Sequence, residues 1–334
     1  MKAYEINSDG GIDALARVER AEPRPGPAQV VVRVRASSVN YRDLSTIEDP
    51  VSRNLPYPRV PNSDGVGEVV EVGEGVTRFR PGERVAATFF QRWADGQITQ
   101  DAMASALGGA LDGMLAERVL LHQDGLVSVP DHLTDLEAAT LPCAAVTAWN
   151  SLVEQGNVRA GDTVLLLGTG GVSIFALQFA ILLGARAIIT SSSNAKLAHA
   201  KSLGAWETVN YRDTPDWEQA VLDLTGGRGV DHTVEVGGAG TLQRSIAATR
   251  VAGSIGLIGV LTRGELNPTL VMRKSLKLQG IYVGSRRMFE DMNRAIALHR
   301  LKPVIHRAYA FEQAREAYRA MRRAQHFGKL VIEL

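Results

Sequence analysis

The spacing of apolar positions divides the chain into regions of different character. From Asp162 onward, short apolar runs alternate with helical patterns. The runs Thr163–Leu167, Arg186–Thr190, Glu207–Asn210, Asp231–Val236, Ser254–Ile258 and Gln279–Val283 read as strands. Val172–Leu183, Asn194–Leu203, Trp217–Leu224 and Thr241–Ala248 read as the helices between them. Strands that are apolar nearly throughout, joined by helices, predict a parallel sheet covered on both faces, with right-handed connections. The chain before Asp162 is mostly strand and turn. Val30–Val34 is β-branched-rich after the Pro23–Pro27 cluster, and Val66–Val72 ends at Gly73. Arg80-Pro81-Gly82-Glu83 is a turn leading into the strand Arg84–Ala87. Phe90–Gly113 has no period and reads as a long surface loop, a frequent carrier of function. Amphipathic helices over Phe289–His299 and Phe311–Arg323 and a strand Lys329–Ile332 follow the α/β region. An α/β unit is therefore expected to interrupt a β-rich one.

Composition narrows the function classes. The 334 residues are 45% hydrophobic and 22% charged, with a net charge of +1. No global field attracts nucleic acid or an anionic membrane. Cys143 is the only cysteine, which excludes a disulfide within the chain and any metal site with two thiolates from one chain. Met1–Glu5 has no apolar signal core, and the most apolar run, Val172–Leu183, is short and contains Gln178. A cytoplasmic, reduced location without membrane contact is the expectation. The histidines lie scattered, without metal-ligand spacing.

The chemistry concentrates at Gly168-Thr169-Gly170-Gly171-Val172-Ser173, between the strand Thr163–Leu167 and the helix Val172–Leu183. Gly168 permits the tight turn, Gly170 lets backbone approach phosphates, and the helix start supplies N–H groups and positive dipole. This is where a dinucleotide pyrophosphate binds. The third fingerprint position, normally glycine, is Ser173, which is small enough to weaken the motif without destroying it. The next strand ends in Thr190-Ser191-Ser192-Ser193, where an NAD site usually has Asp or Glu for the ribose 2′-hydroxyl. A carboxylate would repel a 2′-phosphate; serines do not. Lys196 is placed to neutralise it, and Tyr211 and Arg212 follow the next strand toward the same corner. NADP(H) is favoured over NAD.

The order and spacing of several landmarks resemble the medium-chain dehydrogenase/reductase superfamily over essentially the whole chain. They are Ser38-Val39-Asn40-Tyr41-Arg42-Asp43, Pro61–Gly67, Pro81-Gly82-Glu83-Arg84-Val85, the glycine turn, Leu203-Gly204-Ala205, Val236-Gly237-Gly238 and Gly328–Val331. The resemblance implies a Rossmann doubly wound six-stranded domain, residues 144–284. It is inserted into a β-rich GroES-like catalytic domain, residues 1–143 plus 285–334. In the superfamily's zinc alcohol dehydrogenases, a Cys, a His and a Cys hold the catalytic metal. Asn40, Ser63 and Cys143 match those positions, with Asp64 beside the second. The loop of the structural zinc has no cysteine here. Both metal sites read as lost, and Cys143 reads as a small packed core residue.

What remains resembles the zinc-independent branch of quinone oxidoreductases and NADPH-dependent enone or enoyl reductases. Asn40-Tyr41-Arg42-Asp43 looks like that branch's Asn-x-x-Asp segment, and Gln178 matches its signature glutamine; Thr169 departs toward the alcohol dehydrogenase version. The resemblance implies hydride transfer from NADPH to a quinone or α,β-unsaturated carbonyl. Asn40 is an amide donor to ribose or substrate oxygen, Tyr41 a candidate proton donor, and Asp43 an orienting carboxylate. It further implies that Thr147, Gly237, Gly259, Val260, Arg286 and Lys329 lie near the cofactor, and that the chain forms a homodimer. Two other readings stay open: a zinc-free alcohol or aldehyde dehydrogenase, and a crystallin-like NADPH-binding protein with little turnover.

Overall fold

A computed structural model describes residues 1–334. The chain forms two compact units, Thr147–Val283 and, from two separate stretches, Met1–Val146 with Gly284–Leu334.

In the unit Thr147–Val283, six strands form one sheet in the spatial order Glu207–Asn210, Arg186–Ser191, Thr163–Leu166, Val230–Glu235, Thr249–Leu257, Lys277–Gly280. Every neighbouring pair is parallel. All residues of the two central strands, Thr163–Leu166 and Val230–Glu235, are buried, as expected for strands covered on both faces. The helix Gly171–Leu182 is apolar almost all round and buries Ile174, Phe175, Leu177 and Phe179. The strand order reverses direction between Thr163–Leu166 and Val230–Glu235, leaving a crevice at their C-terminal ends, where open α/β sheets bind ligands. Two boundaries differ from the sequence expectation. The strand expected at Ser254–Ile258 starts already at Thr249, where Thr249 pairs with Val230 ahead of a register shift. The strand expected at Gln279–Val283 runs over Lys277–Gly280, because its partners Ser254–Leu257 set its register.

In the other unit, Lys2–Glu5 and Ala16–Glu19 form an antiparallel pair. The main sheet has the order Ile305–Ala310, Lys329–Glu333, Gln29–Val39, Asp64–Val72, Arg84–Ala87, Leu126–Ser128, with Arg118–His122 also pairing Gln29–Val39. Only Ile305–Ala310 and Lys329–Glu333 are parallel. Gly67 allows a close crossing in this sheet: a Cβ there would lie 2.2 Å from the Arg33 carbonyl oxygen. The helix Ala314–Arg323 turns Ala314, Ala317, Tyr318 and Met321, an i, i+3, i+4, i+7 stripe, into the core. Phe90–Gly113 is not a surface loop throughout. Phe90, Trp93, Ala102, Ala106 and Leu107 are buried, and Gln100–Met103 is a short helix. Its irregular backbone is anchored by apolar side chains whose spacing follows no helical or strand period.

Candidate functional site

Sheet register builds the polar cluster of the first unit. Leu330 pairs with Val39, so Lys329 and Asn40 fall at facing strand ends; Ser38 pairs with Asp64 on the other side. Three neighbouring strands thus deliver an amide, a carboxylate and an ammonium to one place. Asn40 is the N-cap of the helix Tyr41–Glu48, in extended conformation. Its backbone N–H donates to Asp43 Oδ2 at 2.8 Å, the return half of a capping box. Asp43 Oδ1 accepts Ser63 N–H at 3.2 Å and Arg42 Nη1 at 3.1 Å. Both oxygens of Asp43 are therefore engaged, and its side chain is buried. Asp64 accepts the hydroxyls of Ser38 at 3.0 Å and Ser63 at 2.9 Å. Loss of water raises its pKa, against the opposing charge of Lys329, 3.7 Å away.

Lys329 is 3% exposed and donates to Val39 O at 3.2 Å and Asn40 Oδ1 at 2.5 Å. Its ammonium is thus held within this cluster, which the sequence did not reveal. Asn40 Nδ2 is buried; it favours the charged form of Asp64 but makes no hydrogen bond of good geometry. Tyr41 is half exposed. Arg286 starts the helix Arg286–His299, and its guanidinium donates to Asp124 at 2.8 Å.

The donor set does not suit a catalytic zinc ion. Such a site needs three protein ligands of imidazole, thiolate or carboxylate type. The Asn40 carbonyl is occupied by an ammonium, and the Ser63 hydroxyl donates to Asp64. The Cys143 thiol, on a residue of intermediate exposure, is pushed well above its ordinary pKa by loss of water and by the Asp64 charge, with Lys329 opposing. No group of three or more His, Cys, Asp or Glu side chains is disposed to hold a metal.

In the second unit the glycine turn closes the strand Thr163–Leu166. Gly168 has φ +72°, which only glycine adopts freely, and its N–H donates to Thr190 Oγ1 at 3.3 Å. Gly170 is the N-cap of Gly171–Leu182 in extended conformation, and no side chain caps that helix. Helix-start N–H groups are therefore left without a side-chain acceptor at the crevice, with Thr169 and Val172 flanking them. Ser173, the departure from the fingerprint, is buried and donates to Leu167 O at 2.6 Å. The hydroxyl ties helix to strand, where glycine would merely have let them approach.

Ser191 ends the neighbouring strand, and its Oγ accepts Ser193 N–H at 3.3 Å. Ser192 and Lys196 stand at the start of the helix Asn194–Ser202, which Ser193 caps. Tyr211 is partly exposed and its N–H donates to Ser191 O at 3.1 Å, so Ser191, Ser192, Lys196 and Tyr211 share one corner. Thr147 is buried at the start of this unit. Gly237 and Gly259 close adjacent strands with their backbones in contact: a Cβ on Gly259 would lie 2.0 Å from the Val236 carbonyl. Val260 beside them is 73% exposed.

Glu235 was not singled out from the sequence. It is fully buried, and one oxygen accepts Gly237 N–H at 2.7 Å, Gly238 N–H at 3.1 Å and Thr241 Oγ1 at 2.7 Å, while the other accepts Ser245 Oγ. An acidic residue ending an otherwise buried parallel strand, directly before a Val-Gly-Gly turn, was the available signal.

The zinc-binding dehydrogenase family matches residues 171–298 and the alcohol dehydrogenase GroES-like domain family matches residues 26–131. A zinc-type alcohol dehydrogenase-like protein of Schizosaccharomyces pombe is 42% identical, over 99% of each chain. Among solved structures, an NAD-dependent alcohol dehydrogenase is 35% identical over 100% of both chains, with a TM-score of 0.91. A quinone oxidoreductase of Pseudomonas syringae pv. tomato DC3000 is 27% identical over 100% of this chain and 99% of that one, with a TM-score of 0.84. The chain belongs to the medium-chain dehydrogenase/reductase superfamily. No helix is long and apolar enough to cross a membrane.

Proposed function

We propose that this protein is a zinc-independent, NADPH-dependent oxidoreductase that transfers hydride to a quinone or α,β-unsaturated carbonyl. The observation that carries the reading is the occupied donor set. At the positions where zinc relatives have a Cys and a His, this chain has an amide held by Lys329 and a hydroxyl given to Asp64. A Lewis-acid metal polarises a simple carbonyl. A conjugated acceptor needs less help, because charge developing after hydride addition spreads over the enolate or phenolate, and hydrogen-bond donors stabilise the remainder. The nicotinamide supplies the hydride when bound. This chain's residues bind and orient. The uncapped start of Gly171–Leu182 takes the pyrophosphate, and Ser191, Ser192 and Lys196 receive the 2′-phosphate.

In the catalytic unit Asp43 fixes Asn40, and Asn40 offers its amide. The half-exposed Tyr41 is the proton donor, returning a proton to the reduced acceptor. The likeness to a solved quinone oxidoreductase supports the acceptor class. The likeness to an NAD-dependent alcohol dehydrogenase is the reason both coenzymes belong in the test. Purified protein should oxidise NADPH faster than NADH with a small quinone or enone, undiminished by EDTA. Stoichiometric zinc whose removal abolishes turnover would overturn the reading, as would turnover confined to alcohols. A cytoplasmic homodimer belongs to the same proposal, read by sedimentation and cell fractionation.

A further inference from the structure

Asn62 is fully buried and has φ +69°, a left-handed conformation that a residue other than glycine keeps only where its surroundings over-determine it. Both ends of its side-chain amide are held. The buried Tyr318 hydroxyl, on the helix Ala314–Arg323, donates to Asn62 Oδ1. Asn62 Nδ2 donates to Ser37 Oγ at 2.8 Å, and Ser37 Oγ donates to Asp64 O at 2.7 Å. The Asn62 carbonyl accepts Met114 N–H at 2.8 Å. Gly113 leaves room for that crossing: a Cβ there would lie 2.1 Å from the same carbonyl oxygen. Burial and the nearby Asp43 charge raise the Tyr318 pKa well above its ordinary value, so the phenol keeps its proton and stays a donor. The chain then runs straight from Asn62 into Ser63. Ser63 N–H donates to Asp43 Oδ1 at 3.2 Å, and Asp43 Oδ2 accepts Asn40 N–H at 2.8 Å. A continuous path of bonds thus joins a hydroxyl near the end of the chain to the helix start at Asn40 and Tyr41.

We infer that Tyr318 and Asn62 are positioning residues that set Asn40 and Tyr41 through Ser63 and Asp43. The left-handed backbone at Asn62 fixes the direction in which Ser63 departs, and with it the N–H that Asp43 accepts. Asp43 in turn holds the backbone of Asn40, the N-cap beside Tyr41. Glycine at position 62 would adopt the same φ, but it would leave the Tyr318 and Ser37 hydroxyls without the amide between them. The hydrogen-bonded pair, rather than the φ alone, therefore sets the position. Tyr318 acts through this path and touches neither acceptor nor cofactor. The inference rests on the reductase reading above, which puts the acceptor at Asn40 and Tyr41.

The test combines steady-state kinetics with amide hydrogen exchange on folded protein. Tyr318→Phe keeps the buried ring and removes the hydroxyl. Its kcat with a small quinone should fall about tenfold, because a small misplacement of reacting groups is costly, while KM for NADPH stays within about twofold. Asn62→Gly keeps the backbone conformation and removes the amide, and its kcat should fall by a similar factor. The double variant should fall no further than the lower single one, since both changes break the same path. Met321→Ala, in the core on the same helix, is the control for packing loss: its melting temperature should drop while kcat stays near wild type. In Tyr318→Phe the amide protons of Asn40 and Ser63 should exchange faster than in wild type. An unchanged kcat in Tyr318→Phe, multiplicative losses in the double variant, or unchanged exchange at Asn40 and Ser63 beside an active wild type would overturn the inference alone. Wild-type protein without turnover on any quinone or enone would remove the reductase reading, and the positioning role with it.

Discussion

Lys329 Nζ lies 2.5 Å from Asn40 Oδ1, a contact between residues 289 positions apart that joins the facing ends of two antiparallel strands. The same ammonium is 3.7 Å from the buried carboxylate of Asp64. Removing it strands an amide oxygen and a carboxylate away from water. Breaking a buried charge pair costs about 3 kcal/mol. Lys329→Met should lower unfolding free energy by about that amount in urea titrations, and Lys329→Met/Asp64→Asn should recover part of the loss. Additive losses would show that the two groups do not interact.

The two glycines of the turn separate folding from binding. Gly168 has φ +72°, so alanine there should cost about 1–2 kcal/mol of stability. Gly170 is extended, and a Cβ there would meet nothing within 4 Å. Gly170→Ala should therefore melt like wild type while NADPH affinity falls at least tenfold, because the added methyl fills space the pyrophosphate needs. Unchanged affinity in Gly170→Ala, read by NADPH fluorescence, would remove the turn from the cofactor site.

Lys196 is partly buried, and that burial lowers its pKa. An arriving 2′-phosphate supplies the opposite charge. Charge-assisted bonds contribute about 1.5–3 kcal/mol, so Lys196→Ala should weaken NADPH binding roughly 10- to 100-fold and NADH binding very little. Equal losses for both coenzymes would place the phosphate elsewhere.

His232 gives the stability a pH slope. It is fully buried between Ser151 Oγ at 3.0 Å and Ser254 Oγ at 2.7 Å, and desolvation, with a smaller push from Lys277, lowers its pKa to about 3. Between that value and its ordinary 6.5 the unfolded chain holds a proton that the folded chain refuses. Stability contributed by neutral His232 is therefore complete above pH 6.5 and declines as pH falls toward 3, by up to about 1.4 kcal/mol per pH unit. Denaturation midpoints from pH 7 to pH 4 should fall more steeply for wild type than for His232→Asn. Parallel curves would show that His232 protonates freely in the fold.

Much of the second unit is legible from local pattern. Its strands are nearly continuous apolar runs, and the glycine turn sits between strand and helix, so period and punctuation suffice. Ser173 shows the limit. The sequence marks it as a weakened fingerprint, whereas its hydroxyl bond to Leu167 O makes it a fastener. Glu235 escaped because a carboxylate inside a buried strand looks like an exception until its four donors are seen. In the first unit, Asp43 is readable as the carboxylate of a helix start, since Asn40 and Asp43 are three residues apart.

The sequence by itself determined the order of strands and helices, the interruption of the β-rich region by an α/β unit, the location of the glycine turn, and the absence of a thiolate pair. Each of these depends on residues close in the chain or on a count. Only the tertiary structure decided that Lys329 enters the polar cluster, that Phe90–Gly113 is anchored by buried side chains, and that the buried Glu235 carboxylate accepts the turn amides of Gly237 and Gly238. These depend on sheet register and on hydrogen bonds between turns. Register places residues hundreds of positions apart at facing strand ends, a relation that no local period encodes.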